Sequence, residues 1–303
     1  MLSRRHLLAS GIATIALAAC ATPIAPGPTN AAPSERLAEF FETNFDQNLV
    51  KYPERATGQG DKRGYDKWND DSDVFAGRAV AEADQANQTL KNLVRSLGPL
   101  NASDTLSVRL FDKNTQRTQA GSRFRGHAYL FDQMNGAHAG IPTFLANQHK
   151  VVSVEDAQAY IVRLEGITGK LGILVERSQA SFARGIMPPK FIYDYVINDS
   201  TNLLKGAPFT DGGGDSPMWT DAQAKINGLT TDEATKTRLK DQARAALLAH
   251  VKPAYENLLR VMATQKAGAR STDGVWALPD GEAYYAERLA NQTTTALSAT
   301  EIH

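Results

Sequence analysis

Ser153-Val-Glu-Asp-Ala-Gln-Ala-Tyr-Ile-Val-Arg-Leu164 carries the clearest structural instruction in the chain. A serine followed three residues later by a carboxylate has the form of a capping box, which satisfies amides that a helix start leaves without partners. Ala157, Tyr160, Ile161 and Leu164 then recur at three- and four-residue spacing, the period of one helical face. A helix therefore opens at Ser153. A separate one is expected from Lys170 to Gly185, stopped ahead of Pro188-Pro189.

Working outward, the same period recurs along the body. Ser34 is a good N-cap for a helix bearing Leu37, Phe40, Phe41, Phe45 and Leu49, an aromatic stripe expected in the core, and Pro53 ends it. Ser72 or Asp73 opens a second helix, with Val80, Ala83, Ala86, Leu90, Leu93, Val94 and Leu97 closed by Gly98-Pro99. A third is expected over 103–120 and a further one over Phe191 to Leu203. The longest is expected from Thr231 to Met262, where Pro253 should kink or divide it. No strand period of similar strength and no internal repeat is present, so the predicted fold class is all-α. Gly212-Gly213-Gly214 lacks the Gly-Lys-Ser/Thr ending of a phosphate loop and reads as a surface connection.

Residues 121–150 read as an extended loop. They hold three of the six histidines, His127, His138 and His149, but Gly136, Gly140 and Pro142 interrupt any helix that would align them. Long loops concentrate function, which makes Gln133, Asn135 and His138 candidates. No Gly-x-Ser-x-Gly elbow is present, and the carboxylate pairs Asp70-Asp71 and Glu155-Asp156 fall at expected turns and caps. No His-x-x-x-His pair exists, so no metal site is expected in this chain.

The amino terminus reads as a targeting segment. Ser3-Arg4-Arg5-His6 precedes thirteen uncharged residues, Leu7 to Ala19, too few to span a bilayer and of the length a signal peptidase handles. Arg4 and Arg5 resemble a twin-arginine export signal, with ordinary unfolded export as the alternative. Leu17-Ala-Ala-Cys20 resembles the bacterial lipobox and places the single cysteine as a lipid attachment point. Residues 1–19 are then a removed signal peptide, 20–33 a lipidated, proline-rich tether and 34–303 a helical domain. The expected location is the cell envelope, and the outer membrane or periplasm in a Gram-negative cell. The expected partner is membrane lipid. Cleavage leaves 31 basic against 33 acidic residues, a net charge of −2, which gives no reason to expect nucleic acid.

At the other end, Ala277-Leu-Pro-Asp-Gly-Glu-Ala-Tyr-Tyr285 suggests a short helix capped by Asp280 and bearing Tyr284 and Tyr285, and Ser298-Ala-Thr-Glu301 is another capping box. Several segments together resemble the bacterial secreted proteins grouped as domain-of-unknown-function family 885. They are Phe131-Asp-Gln-Met-Asn-Gly-Ala-His138 with Ile141-Pro142, Arg184-Gly-Ile-Met-Pro-Pro189, Val251-Lys-Pro-Ala-Tyr255, and Leu278 to Tyr285 with Thr293-Thr-Thr295 and Glu301-Ile-His303. That family is similar to the gluzincin zinc peptidases. The resemblance implies the amino-terminal half of a helical metallopeptidase fold, truncated before a His-Glu-x-x-Pro-Gly-His run. Zinc would be expected only in a full-length parent, with a peptide substrate and the missing carboxy-terminal half as partners. Tyr284 and Tyr285, or the 133–142 loop, would face its cleft. The alternative is a non-catalytic helical lipoprotein that binds peptides or envelope partners.

Overall fold

The computed structural model describes residues 32–302; Arg4, Arg5, Cys20 and all but the end of the tether lie outside the described residues. The described chain is all-α, with one isolated bridge between Ala207 and Asp215. Its elements are α1 (Pro33–Lys51), α2 (Pro53–Gly58), α3 (Asp73–Ser96), α4 (Ala102–Ser122), α5 (Ala137–Asn147), α6 (Val154–Ala183), α7 (Lys190–Leu203), α8 (Pro217–Asn227), α9 (Glu233–Ala246), α10 (Lys252–Gly268), α11 (Gly281–Thr293) and α12 (Ala299–Ile302).

The axis of the fold is α6, 30 residues long. Ser153 Oγ accepts the Asp156 amide at 3.2 Å, while the Asp156 carboxylate reaches back to the Val152 amide at 3.0 Å. The two helices expected over this stretch are one. Gly166 and Gly169 each cost about 1 kcal/mol in helix propensity. Burial of Leu164, Ile167, Leu171, Leu174 and Val175 outweighs that, at roughly 1.5–3 kcal/mol per large apolar side chain.

A second stripe of α6 is basic and inward. Arg163, Lys170 and Arg177 recur every seven residues, and together they hold the segment from Pro53 to Asp73. Arg163 is fully buried; its guanidinium donates to Thr57 Oγ1 at 2.8 Å, to the Lys67 carbonyl at 3.0 Å and to His149 Nδ1 at 2.9 Å. Its flat face lies 5.0–5.6 Å from the ring centres of Phe144, Tyr65 and Trp68. Lys170 Nζ is held between Glu54 Oε1 and Asp71 Oδ2, each at 2.6 Å. Arg177 donates to the Asp71 carbonyl and pairs with Asp73. Between the first two rungs sits Gly166, where a Cβ would come within 2.9 Å of Trp68, whose indole donates to the Arg163 carbonyl.

The strap defined by these contacts separates two apolar clusters. The larger gathers α5 to α10 around α6, with Tyr160, Tyr193, Leu239, Val251, Tyr255 and Leu258 buried. The smaller packs Leu37, Leu90 and Leu97 with Phe40, Phe41 and Phe111 in a bundle of α1, α3 and α4. Phe45 departs from the expected stripe: it is 43% exposed, with Arg55 over its ring. The long carboxy-terminal helix passes Pro253 without being divided, its backbone helical from α9 through α10. A π-turn over Leu247–Val251, in which the Lys252 amide bonds Leu247 across five residues, precedes α10, and Thr168 Oγ1 takes up the His250 carbonyl at 3.1 Å.

Several boundaries differ from expectation. Helix α1 starts at Pro33, so Ser34 lies inside it and donates to Asp104 instead of capping. Asp280 makes no side-chain cap; it takes a left-handed φ of 53°, and Tyr284 bonds its carbonyl. Gly281 follows because a Cβ there would collide with the Val275 carbonyl at 1.9 Å. Ser298 and Glu301 do form their reciprocal box.

Two substitutions test the strap. Arg163→Met leaves the Lys67 carbonyl and His149 Nδ1 unpaired and should lower unfolding free energy by about 2–5 kcal/mol in urea titrations. Gly166→Ala gains about 1 kcal/mol of helix propensity but meets a rigid indole, an overpacking of about 1–3 kcal/mol. Its net effect should be destabilising, and Trp68→Leu in the same chain should reverse the sign.

Candidate functional site: a cationic cleft

The five residues singled out from the sequence fall into two separate places. Residues 131–142 are not an extended loop throughout. Asp132 Oδ1 accepts the amides of Met134 and Asn135 at 2.7 and 2.6 Å, making a tight turn with Gln133 and Asn135 exposed on its outside. Helix α5 follows, with Gly140 and Pro142 inside it. Pro142 has no N–H to give the His138 carbonyl four residues back, and the Tyr255 hydroxyl donates to that carbonyl at 2.7 Å instead. The His138 ring is buried without a hydrogen-bond partner, and Asp199 Oδ2 stands 3.6 Å from Nε2. Burial lowers its pKa, partly offset by Asp199.

Tyr284 sits elsewhere, half-buried against His127 and Phe124 with ring centres 5.0 and 5.6 Å away. His127 Nε2 lies 2.8 Å from the Pro279 carbonyl, tying this aromatic cluster to the turn before α11. Tyr285 points outward, 43% exposed. The third histidine, His149, is buried between Arg163 and the Asp156 carbonyl. Desolvation and the neighbouring guanidinium push its pKa down to about 4, so the ring is neutral and accepts from Arg163.

None of the five lines the main cleft among the described residues. A cleft of about 1730 Å³ lies between the small bundle and the ends of α6 and α11, larger than a typical small-molecule site of roughly 300–1000 Å³. Phe40, Phe75 and Phe111 give it an apolar side, while Asn44, Gln47, Asn48, Gln85 and Asn114 supply amides. Its acids are engaged. Asp71 holds Lys170, Asp73 holds Arg125 and Arg177, Glu82 holds Lys51, and Asp70 accepts the Ser72 amide. Arg117, Arg123, Arg184 and Arg288 also line it and have no carboxylate partner among the described residues, so the free charge is positive. Tyr284 touches the edge of this arrangement through its own helix, since Arg288 and Asn291 follow it at four and seven residues and line the cleft.

Sequence reading missed these arginines because they are scattered over three elements. Only the seven-residue spacing of Arg163, Lys170 and Arg177 was a signal available in advance. Among the described residues, no group of three or more His, Cys, Asp or Glu side chains is placed to hold a metal ion, and the residues present do not fit a zinc site. Nor is any described helix long and apolar enough to cross a membrane.

The fold and cleft define a helical, cleft-bearing protein built on one long central helix. The chain belongs to the family described as bacterial protein of unknown function DUF885, which matches residues 53–303, from the first residue of the strap onward. No curated protein matches the sequence. Among solved structures it is similar to "the putative lipoprotein from Colwellia psychrerythraea", with a TM-score of 0.71 and 20% identity over 90% of this chain. That likeness shows a shared fold. The match takes in 48% of the other chain, so this chain spans about half its length.

Two measurements probe these local devices. Tyr255→Phe should destabilise by about 1–3 kcal/mol by stranding the His138 carbonyl, and the loss should shrink in a Pro142→Ala background, where the helix supplies its own donor. For His149, the unfolded ring binds a proton near pH 6.5 and the folded ring only near 4. Its contribution is therefore complete above pH 6.5 and is lost as the pH falls toward 4, by roughly 3 kcal/mol. His149→Gln should flatten that part of a stability-versus-pH curve.

Proposed function

We propose that this chain is the ligand-binding portion of a lipid-anchored envelope protein of gluzincin-like type, and that its cleft holds an extended peptide. The observation that carries the reading is the cleft itself. Its volume exceeds that of one small molecule, its amides suit a peptide backbone, and its aromatic side can take apolar side chains. The chain's own part is binding, with any bond cleavage left to residues of a longer parent.

Anchoring rests on Cys20 within its lipobox-like context and export on Arg4 and Arg5, with a proline-rich tether between lipid and fold. The structural relative described as a lipoprotein is consistent with that placement. Gln133, Asn135 and Tyr285, all exposed, remain proposed as substrate-cleft contacts of a longer parent, with the buried His138 behind the first two and Tyr284 supporting the helix that carries Arg288.

In the exported protein, mass spectrometry should find the mature chain starting at a diacylglyceryl-modified Cys20. Cys20→Ala should move the protein from the membrane pellet to the soluble fraction. Ala86→Trp, which fills the cleft from α3, should abolish binding of a fluorescent peptide pool while leaving the thermal melt within a few degrees. Unchanged peptide binding in that variant would rule the cleft out.

A further inference from the structure

The cleft's charge is concentrated. Arg123 ends α4, Arg184 ends α6 and Arg288 lies midway along α11, and local contacts bring these ends together. Ser181 Oγ bonds the Gly126 carbonyl at 3.0 Å, joining α6 to the turn after α4. Gly121 of α4 faces Glu287, the neighbour of Arg288, whose Oε1 would stand 3.2 Å from a Cβ there. Arg184 crosses directly over Gly126, with Nη2 at 2.5 Å from where a Cβ would be.

Helix-end electrostatics account for part of this, since cations near helix carboxy termini gain about 0.3–1 kcal/mol. That effect does not involve Arg288, and it leaves donors unspent. Arg123 lays its face on Phe124 at 4.3 Å, which occupies the guanidinium plane and leaves its N–H edge open. Arg184 spends one long contact, 3.4 Å, on Ser181 Oγ. Guanidinium forks with open edges match carboxylates bidentately.

We propose that Arg123, Arg184 and Arg288 form a carboxylate-binding subsite where α4, α6 and α11 meet, which takes the carboxy terminus or an acidic side chain of the peptide in the cleft. The inference deepens the peptide-binding reading and rests on it. Glycine at 126 belongs to the device, because it leaves the space through which Arg184 enters.

The test uses the full chain and labelled peptides by fluorescence anisotropy. A free-acid peptide ending in glutamate should bind, and Arg184→Gln or Arg288→Gln should weaken it about tenfold, the scale of one charge-assisted hydrogen-bonded contact. Gly126→Ala should weaken it several-fold without lowering thermal stability, because only the flexible end of Arg184 is displaced. Loss on amidating the peptide's carboxy terminus assigns the subsite to the terminal carboxylate, and loss on changing its glutamate to glutamine assigns it to the side chain. Peptide binding that ignores all three variants overturns the subsite and leaves the cleft reading intact, whereas no peptide binding to the unaltered chain removes both. Tighter binding of inorganic tripolyphosphate with the same arginine dependence overturns the carboxylate assignment.

Discussion

Arg163 is a cation with no water around it, and much of the fold is arranged to make that tolerable. Desolvation pulls its pKa down to about 10 despite the opposing pull of Glu54, Tyr65 and Asp66. Hydrogen bonds from Nη2 and Nε to the strap, an imidazole held neutral and three aromatic faces together replace the lost hydration. The Lys67 carbonyl is spent on Arg163 and the Asp71 carbonyl on Arg125 and Arg177, so part of the backbone of residues 59–72 is satisfied without regular secondary structure. Lys170 and Arg177 extend the arrangement, so one helix face binds a whole polar segment while the opposite face builds the apolar core.

This division positions the cleft. The last rung, Arg177 with Asp71 and Asp73, is already a lining element of the opening. The acids nearest that rung are consumed by it. Uncommitted positive charge therefore remains at Arg117 on α4 and toward α11, where Arg123, Arg184 and Arg288 make no ion pair among the described residues, although the Glu287 carboxylate stands beside Gly121 in the same junction.

Most helices were legible because their signals are local: Ser72 and Ser153 each accept from an amide three residues on, as does Asn101, which starts α4 just ahead of the expected residue 103. Helix α8 carried such a signal in Ser216-Pro217, and Ser216 Oγ does accept from Trp219, although no helix was read there. Helix α5 was not legible, since its proline is accommodated by a hydroxyl 117 residues away. The continuity of α6 was hidden for a related reason: Gly166 looks like a weak point until Trp68 is known to need the space. The cleft was invisible to any spacing argument, because its arginines are neighbours only after α4, α6 and α11 have packed.

The strap contacts join residues 96–116 positions apart. During synthesis at about 5–20 residues per second, Tyr65 and Trp68 leave the ribosome roughly 5–20 s before the arginine that will hold them. Through that interval the segment is an aromatic, charged chain with nothing to dock on. If the chain is exported as proposed, this sets a timing problem. A route that threads the chain before α6 is complete would form every rung outside the cytoplasm, while one that waits for folding would keep the strap from other partners until Arg163 arrives.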